Sequence, residues 1–266
     1  MYVLVSDIGA TNARFAIVHN NEVVYKEVVA TSSVSSLAQV VNAFLSRAAN
    51  HGFTTSKGMF AAAGLHSTNR ISLTNASLVV DKHELLLQTA LSDVVLCNDV
   101  FALASAYPGC VVVSVGTGLG VASSTSAFEA GHLFFAAMNT DEERLRRWLA
   151  SRLSRPVEYE DLLSGRGWIL LYQFFRETQF PSAADIRTPS KLSLLRESTS
   201  CSARTAHFFS RILRRFCREM QVLTGCDKVV LAGGVLQKNP FLISQESSVL
   251  VRDEDAVLLA ASRLIS

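Results

Sequence analysis

Short runs of apolar, β-branched residues alternate with turn residues near the start of the chain. The runs at residues 3–5, 15–18 and 23–29 are typical of strands, and their close succession predicts an antiparallel meander. Over residues 35–49 the apolar positions change to helical spacing, which predicts a helix that ends near His51.

The alternation of strands and helices continues to the end of the chain. Buried strands are predicted at residues 59–63, 94–97, 110–115 and 229–232, and helices from residue 100 to before Pro108 and over 140–153, 161–177 and 203–223. Residues 64–70 are predicted to form a loop, and residues 179–202, rich in Ser, Thr and Pro, a surface connection. This order predicts an α/β protein with partly parallel sheets. Two rounds of strand, glycine turn and strand predict two lobes.

Composition and charge place the chain among globular proteins. Its 266 residues are 49% hydrophobic and 18% charged, which excludes a disordered chain. A net charge of +2 is too close to neutral for a dedicated nucleic-acid partner. No apolar run approaches the roughly 20 residues that span a bilayer, and the N-terminus lacks the features of a signal peptide. We therefore expect a cytoplasmic protein with no membrane partner.

The cysteines indicate a reducing compartment. They are scattered and lack CxxC spacing, at Cys97, Cys110, Cys201, Cys217 and Cys226. That pattern argues against both a disulfide framework and a zinc ribbon.

Four arginines form one stripe of a predicted helix, at Arg211, Arg214, Arg215 and Arg218. A nucleic-acid patch is one interpretation. The other, a solvated face opposite a core face, is favoured by the near-neutral charge of the chain.

Glycine-containing turns after predicted strands have the chemistry of phosphate-binding loops. In DIGATN, residues 7–12, an acid leads from a strand into a turn whose backbone N–H groups can point at an anion, and Gly9 allows close approach. GTGLG, residues 116–120, repeats the arrangement, and Gly233-Gly234 makes a third such turn. Neither of the first two matches the P-loop or the dinucleotide fingerprint. Each signal alone is weak, and the three together are considerably more specific.

Acidic side chains lie between and after these turns. Asp99 follows Asn98 at the end of a predicted strand, where it could cap the next helix or take the proton of a hydroxyl group that attacks a phosphoryl group. Glu129, His132 and Glu160 add two acids and an imidazole. A carboxylate accepts two hydroxyl hydrogens, which suits a polyol such as a sugar.

The ordered set of motifs resembles the bacterial-type glucokinases of the hexokinase–actin–Hsp70 superfamily. The motifs are DIGATNARFA, AAAG followed by LTN, LCNDVFALA, VGTGLGVA, EAGH, VEYEDLLSGRG and VLAGGV, and they cover nearly the whole chain. The resemblance implies an α/β, two-lobed, actin-like ATPase (ribonuclease H-like) fold with a cleft between two domains. The small domain would be residues 1–100, joined by the C-terminal helix at about 251–266, and the large domain residues 101–250. The implied activity is ATP-dependent phosphorylation of glucose at its 6-hydroxyl, a step of glycolysis, with Mg²⁺ as cofactor.

The resemblance also assigns site residues, position by position. ATP-binding positions are Asp7, Gly9, Ala10, Thr11, Asn12, Gly116, Thr117, Gly118, Gly120, Gly233 and Gly234. Asp7 would hold Mg²⁺ through water. Sugar-binding positions are Asn75, Asn98, Asp99, Glu129, His132 and Glu160, with Asp99 as the catalytic general base.

The chain departs from the family pattern at several positions. Ala10 stands where members usually have a second glycine, and an alanine forced to positive φ would cost roughly 1–2 kcal/mol. Leu78 replaces a tryptophan, Ala130 replaces a glycine, and segments are missing after GTGLGVA and after AGGV. A non-catalytic sugar- or nucleotide-binding regulator, or a kinase for another hexose, therefore stays open as an alternative. The expected partner is glucose or a related hexose, and homodimer formation is also left open.

Overall fold

The computed structural model describes residues 1–67, 69–74, 76–243, 248–253 and 255–265. The chain folds into two compact units. The first comprises Met1–Pro108, Ser124–Ala127 and Asp253–Ser266, and the second Gly109–Ser123 and Phe128–Arg252. No helix in the described ranges is long and apolar enough to cross a membrane.

Strands and helices alternate along both units. The strands are β1 (Val3–Ile8), β2 (Asn12–His19), β3 (Glu22–Ala30), β4 (Lys57–Ala62), β5 (Gly64–Ser67), β6 (Arg70–Leu73), β7 (Val79–Asp81), β8 (Asp93–Asn98), β9 (Cys110–Val115), β10 (Leu119–Ser123), β11 (Ala127–Phe128), β12 (Lys228–Ala232) and β13 (Ser248–Leu250). The α-helices are α1 (Leu37–Asn50), α2 (Lys82–Gln88), α3 (Asp99–Ser105), α4 (Thr140–Leu153), α5 (Gly165–Thr178), α6 (Pro189–Leu195), α7 (Ser200–Thr224), α8 (Gly234–Lys238) and α9 (Ala256–Ser262).

The main sheet of the first unit has the order β3-β2-β1-β4-β8. β1, β2 and β3 are antiparallel neighbours, which confirms the predicted meander, and β1, β4 and β8 run parallel. Both faces of the sheet are covered. Phe15 and Phe60 pack with Phe44 of α1 on one face, while Val5 packs with Leu258 of α9 on the other. Strands covered on both faces are expected to carry apolar runs, as β1 does at residues 3–5 and β4 at residues 59–62.

A smaller antiparallel sheet, β5-β6-β7, replaces the loop predicted over residues 64–70. That prediction is wrong because β5 and β6 pair as a hairpin, with Gly64 opposite Leu73. A Cβ at Gly64 would collide with the Ser72 carbonyl oxygen, so this glycine marks a close backbone approach.

The sheet of the second unit repeats the same plan in the order β11-β10-β9-β12-β13. β9 and β10 form an antiparallel hairpin, and β9, β12 and β13 run parallel. The two predicted rounds of strand, turn and strand are thus confirmed as topology.

One large apolar cluster connects this sheet with α4, α5 and α7. Trp168 is fully buried in this cluster, edge-on to Phe209 with ring centroids 5.3 Å apart. The Thr199 hydroxyl accepts the Ser202 N–H at 3.1 Å and so starts α7, which ends at Gly225 with φ of 70°. The predicted surface connection over residues 179–202 is partly wrong, since it contains α6, which begins with a proline at its first position.

The arginine stripe lies on α7 and is only half solvated. Arg214 and Arg218 are exposed. Arg211 and Arg215 instead donate to the buried carboxylate of Glu142 at the start of α4, at 3.2 and 2.7 Å. The favoured interpretation fails for these two residues because a buried carboxylate requires cationic partners.

Candidate functional site

The first candidate site is the turn that joins β1 to β2. Asp7 and Arg14 face each other in the strand register, and the Arg14 Nη1 donates to Asp7 Oδ2 at 2.7 Å. The Asp7 side chain is only 10% exposed. Burial raises the pKa of Asp7, and the charge and hydrogen bond of Arg14 oppose that rise. Sequence reasoning missed Arg14, which pairs with Asp7 across the hairpin.

The tip of this turn does not require glycine. The Gly9 N–H donates to the Asn12 carbonyl at 2.9 Å, and the Thr31 hydroxyl donates to the Gly9 carbonyl at 2.7 Å. The described non-glycine residues with positive φ do not include Ala10, so its methyl group carries no backbone strain. Thr11 and Asn12 complete the tip and are exposed.

Asn98 and Asp99 lie where β8 passes into α3. The Asn98 Oδ1 accepts the N–H groups of Val100 and Phe101, both at 3.0 Å. Asn98 is therefore the helix cap, and the capping interpretation of Asp99 is wrong. Asp99 is the first residue of α3 and half-buried, an acid in the turn where the helix dipole favours negative charge. Asn75 lies outside the described residues.

The glycine turn of the second unit follows β9. The Gly116 N–H donates to the Gly118 carbonyl, and the Gly165 N–H to the Gly116 carbonyl, each at 2.9 Å. A Cβ added at Gly116 would meet no atom within 4 Å, so space is open above the turn. Thr117, exposed, and Gly120 lie in the same segment.

The two glycines after β12 differ physically. Gly233 has φ of 95°, and a Cβ there would collide with the Val115 carbonyl oxygen of β9. Gly234 is the first residue of α8, and a Cβ there would meet nothing within 4 Å. The fold itself therefore accounts for Gly233, whereas Gly234 borders open space.

Glu129, His132 and Glu160 come together in the second unit. Glu129 precedes the short 3₁₀ helix Ala130–His132, and Glu160 lies in another, Tyr159–Asp161. The His132 Nε2 is 3.8 Å from Glu129 Oε2. A further carboxylate, Glu158, which sequence reasoning missed, lies 2.9 Å from His132 Nδ1. The hydrogen bond to Glu158 raises the pKa of His132, helped by the negative charges of all three acids and opposed by burial.

This acidic group is built directly onto the glycine turn. The Leu119 N–H, inside the turn motif, donates to Glu160 Oε2 at 2.8 Å. Gly131 packs so close to Leu119 that a Cβ would collide with its carbonyl oxygen. Sequence order gave no sign of either contact, since the segments are far apart along the chain.

A buried acid holds the segment that carries Glu160. Asp161 is fully buried, and its carboxylate accepts two hydrogen bonds from Arg155, both at 2.8 Å, and one from Arg166 at 2.6 Å. It also accepts the Glu158 N–H at 2.9 Å. A buried charge held this way positions its neighbours firmly.

The turn at Asp7 fits Mg²⁺ with nucleotide phosphates. Mg²⁺ is normally held by one or two carboxylates plus phosphate oxygens and water, so one buried acid suffices on the protein side. Asp7 is such an acid: its carboxylate is largely buried at the end of β1, with Arg14 as a charged partner.

Comparisons with known proteins support the resemblance read from the motifs. The family model described as Glucokinase matches residues 4–111 and 108–249. A glucokinase of Chelativorans sp. (strain BNC1) is 29% identical over 272 residues, which cover 89% of this chain and 77% of the relative.

Solved structures of two other kinases have a similar fold. Glucokinase from Balamuthia mandrillaris in complex with glucose matches with a TM-score of 0.79 at 18% identity, over 99% of this chain and 93% of that one. A ROK family glucokinase from Streptomyces griseus in complex with glucose and AMPPNP matches with a TM-score of 0.69 at 16% identity, over 100% and 99%. These likenesses confirm the predicted actin-like sugar-kinase fold.

Proposed function

Because the chain belongs to the glucokinase family of sugar kinases, we propose that it transfers the γ-phosphoryl group of ATP to the 6-hydroxyl of glucose. The observation that carries this proposal is the bond between the Leu119 N–H and Glu160. It joins an anion-type glycine turn to a group of side chains suited to a polyol, as a sugar kinase requires.

The second unit would hold the hexose through its acids and imidazole. Carboxylates of Glu129 and Glu160 accept hydroxyl hydrogens, and His132 adds a ring nitrogen. The segment with Gly116, Thr117, Gly118 and Gly120 would present backbone N–H groups to phosphate. Gly233 and Gly234 would border the adenosine.

The first unit would supply the base and the metal-side acid. Asn98 would bind a sugar hydroxyl, and Asp99 would take the proton of the 6-hydroxyl as it attacks the phosphorus. Gly9, Ala10, Thr11 and Asn12 would line the phosphates. When bound beside Asp7, Mg²⁺ supplies positive charge that offsets the charge on the phosphate oxygens.

The test of the general base is Asp99→Asn. We expect kcat with ATP and glucose to fall by about a hundredfold or more, while the glucose Kd measured by calorimetry changes little. Asp93→Asn is the matched control, because Asp93 lies exposed at the other end of β8. An Asp99→Asn enzyme that keeps most of the wild-type rate would show that Asp99 is not the base.

Two other functions are separated by the same assay. A non-catalytic regulator would bind glucose without turnover by the wild-type protein, and a kinase for another hexose would prefer mannose or an amino sugar over glucose. A place in glycolysis, a cytoplasmic location and a homodimer stay predictions that accompany the assignment.

A further inference from the structure

We propose that Glu158 is a positioning residue of the sugar site: it binds the Nδ1–H of His132 and leaves Nε2 to accept a hydrogen bond from a hexose hydroxyl. The inference rests on the proposed function, since the hexose is the expected occupant. None of the site motifs of the chain assigns a role to Glu158.

The contact determines which ring nitrogen carries the hydrogen. His132 Nδ1 lies 2.9 Å from Glu158 Oε2. An ionised carboxylate only accepts hydrogen bonds, so Nδ1 must be the donor. In the neutral ring, Nε2 then has a free lone pair and acts as an acceptor.

On its Nε2 side, the neutral His132 ring then offers an acceptor and no donor. Nε2 lies 3.8 Å from Glu129 Oε2, so two acceptors lie close together. A hydroxyl group donates one hydrogen, and neighbouring hydroxyls of a sugar can serve both acceptors. Protonation of His132 would instead place a donor on Nε2 that binds Glu129 and competes with the sugar.

Glu158 is itself held in place. Its backbone N–H donates to the buried Asp161 at 2.9 Å, and its Oε1 lies 3.7 Å from Arg155 Nη1. Arg155 is in turn bound to Asp161 by two hydrogen bonds. The carboxylate that orients the ring is therefore part of a rigid network, whereas Glu129 is half exposed.

The charges around the ring give the pH dependence its sign. His132 is faced by Glu129, which precedes its 3₁₀ helix, and by Glu158 and Glu160 of the neighbouring segment. Arg155 lies behind Glu158, and β10 brings no titratable side chain. Together the three acids favour protonation and raise the pKa of His132. Hexose affinity should therefore weaken as pH falls through that pKa. Removal of the Glu158 charge should move the weakening to lower pH.

Three variants separate the hydrogen bond from the charge. In Glu158→Gln the amide oxygen still accepts from Nδ1, so we expect an unchanged tautomer, a lower His132 pKa and near-normal glucose Kd at slightly alkaline pH. In Glu158→Ala both are lost, and the glucose Kd should rise about fivefold to tenfold at that pH. Glu158→Asp should restore part of the affinity.

The readouts are glucose calorimetry across pH and nitrogen NMR of the histidine rings, with the His132 signal assigned by its loss in His132→Asn. Glu177→Gln is the matched control, since Glu177 also pairs with an arginine, Arg152, but lies at the far end of α5. A tautomer and pKa of His132 that are the same in Glu158→Ala as in wild type would overturn the inference, as would an unchanged glucose Kd.

Different results contradict the proposed function and the role of Glu158. If the wild-type protein binds no hexose, the proposed function fails and the hexose role of Glu158 fails with it, even where NMR finds the His132–Glu158 pair. If the wild type binds glucose and Glu158→Ala binds it equally well, only the inference fails.

Discussion

At the scale of the residue, Asp7 shows how a buried acid opposes stability. Its carboxylate is buried, with one charged partner on the facing strand. Desolvation outweighs the attraction of Arg14, so the pKa of Asp7 lies above its ordinary value of 3.8. The folded state therefore binds this proton more tightly than the unfolded state.

The pH dependence of stability follows from that sign. A carboxyl group with a raised pKa contributes stability that is fully present below pH 3.8. That contribution is lost as the pH rises through the pKa of the folded state. We expect Asp7→Asn to increase the free energy of unfolding at neutral pH, an advantage that shrinks on acidification. Urea unfolding at several pH values measures it, with Asp93→Asn as the exposed control. An advantage that grows as pH falls would mean that Arg14 dominates.

Residue identities in the turns were predictable, but their backbone angles and partners were not. The motifs placed Ala10 in a turn, yet only the structure shows that the turn has a negative φ there. Asn and Asp are both common helix-capping residues, so the sequence did not separate Asn98 from Asp99. The structure shows that Asn98, the last residue of β8, caps α3. Arg14 contacts Asp7 across a hairpin, and Glu158 contacts His132 from a segment 26 residues further along the chain. No local sequence pattern reveals either contact.

At the scale of the element, the two glycines that link β12 to α8 differ in role. Gly233 is required by the fold, whereas Gly234 borders the proposed adenosine position. Gly233→Ala combines a positive φ, worth roughly 1–2 kcal/mol, with a collision against Val115. We expect it to lower the free energy of unfolding by more than about 2 kcal/mol. Gly234→Ala replaces glycine at an open position and should leave stability equal or up to about 1 kcal/mol higher.

The Gly234→Ala variant then tests the nucleotide side of the site. Its methyl group enters the space proposed to border adenosine, so the KM for ATP should rise several-fold while the KM for glucose stays unchanged. An unaltered KM for ATP in a stable Gly234→Ala protein would contradict the placement of adenosine there.

Elements with strong periodicity were predictable, and those shaped by a partner were not. β9 and α4 match their predicted ranges because each is marked by an apolar run or by helical spacing. The helix predicted over residues 161–177 instead starts at Gly165, since Asp161 turns back to bind the Glu158 N–H in a separate 3₁₀ helix. β5 and β6 were missed because their pairing, rather than their composition, makes them strands.

At the scale of the whole molecule, two units share one plan of an antiparallel hairpin beside parallel strands. The alternation of elements predicted this duplication, although no repeat is visible in the residues themselves. The proposed hexose residues are divided between the units, with Asn98 and Asp99 in the first and Glu129, His132 and Glu160 in the second. The proposed assignment therefore requires residues of both units to bind the hexose.

Glucose should protect both units against unfolding if that assignment holds. The two tryptophans, Trp148 and Trp168, both lie in the second unit, so their fluorescence follows that unit alone. At glucose near 100 times its Kd, binding adds about 2.7 kcal/mol, which should raise the Tm seen by fluorescence by on the order of 5–10 °C. Amide hydrogen exchange of β8 and α3 should slow in parallel in the first unit. Glu129→Gln should weaken both effects, because the ligand is shared. Protection confined to the second unit would show that Asn98 and Asp99 do not contact the hexose, and would remove Asp99 as its base.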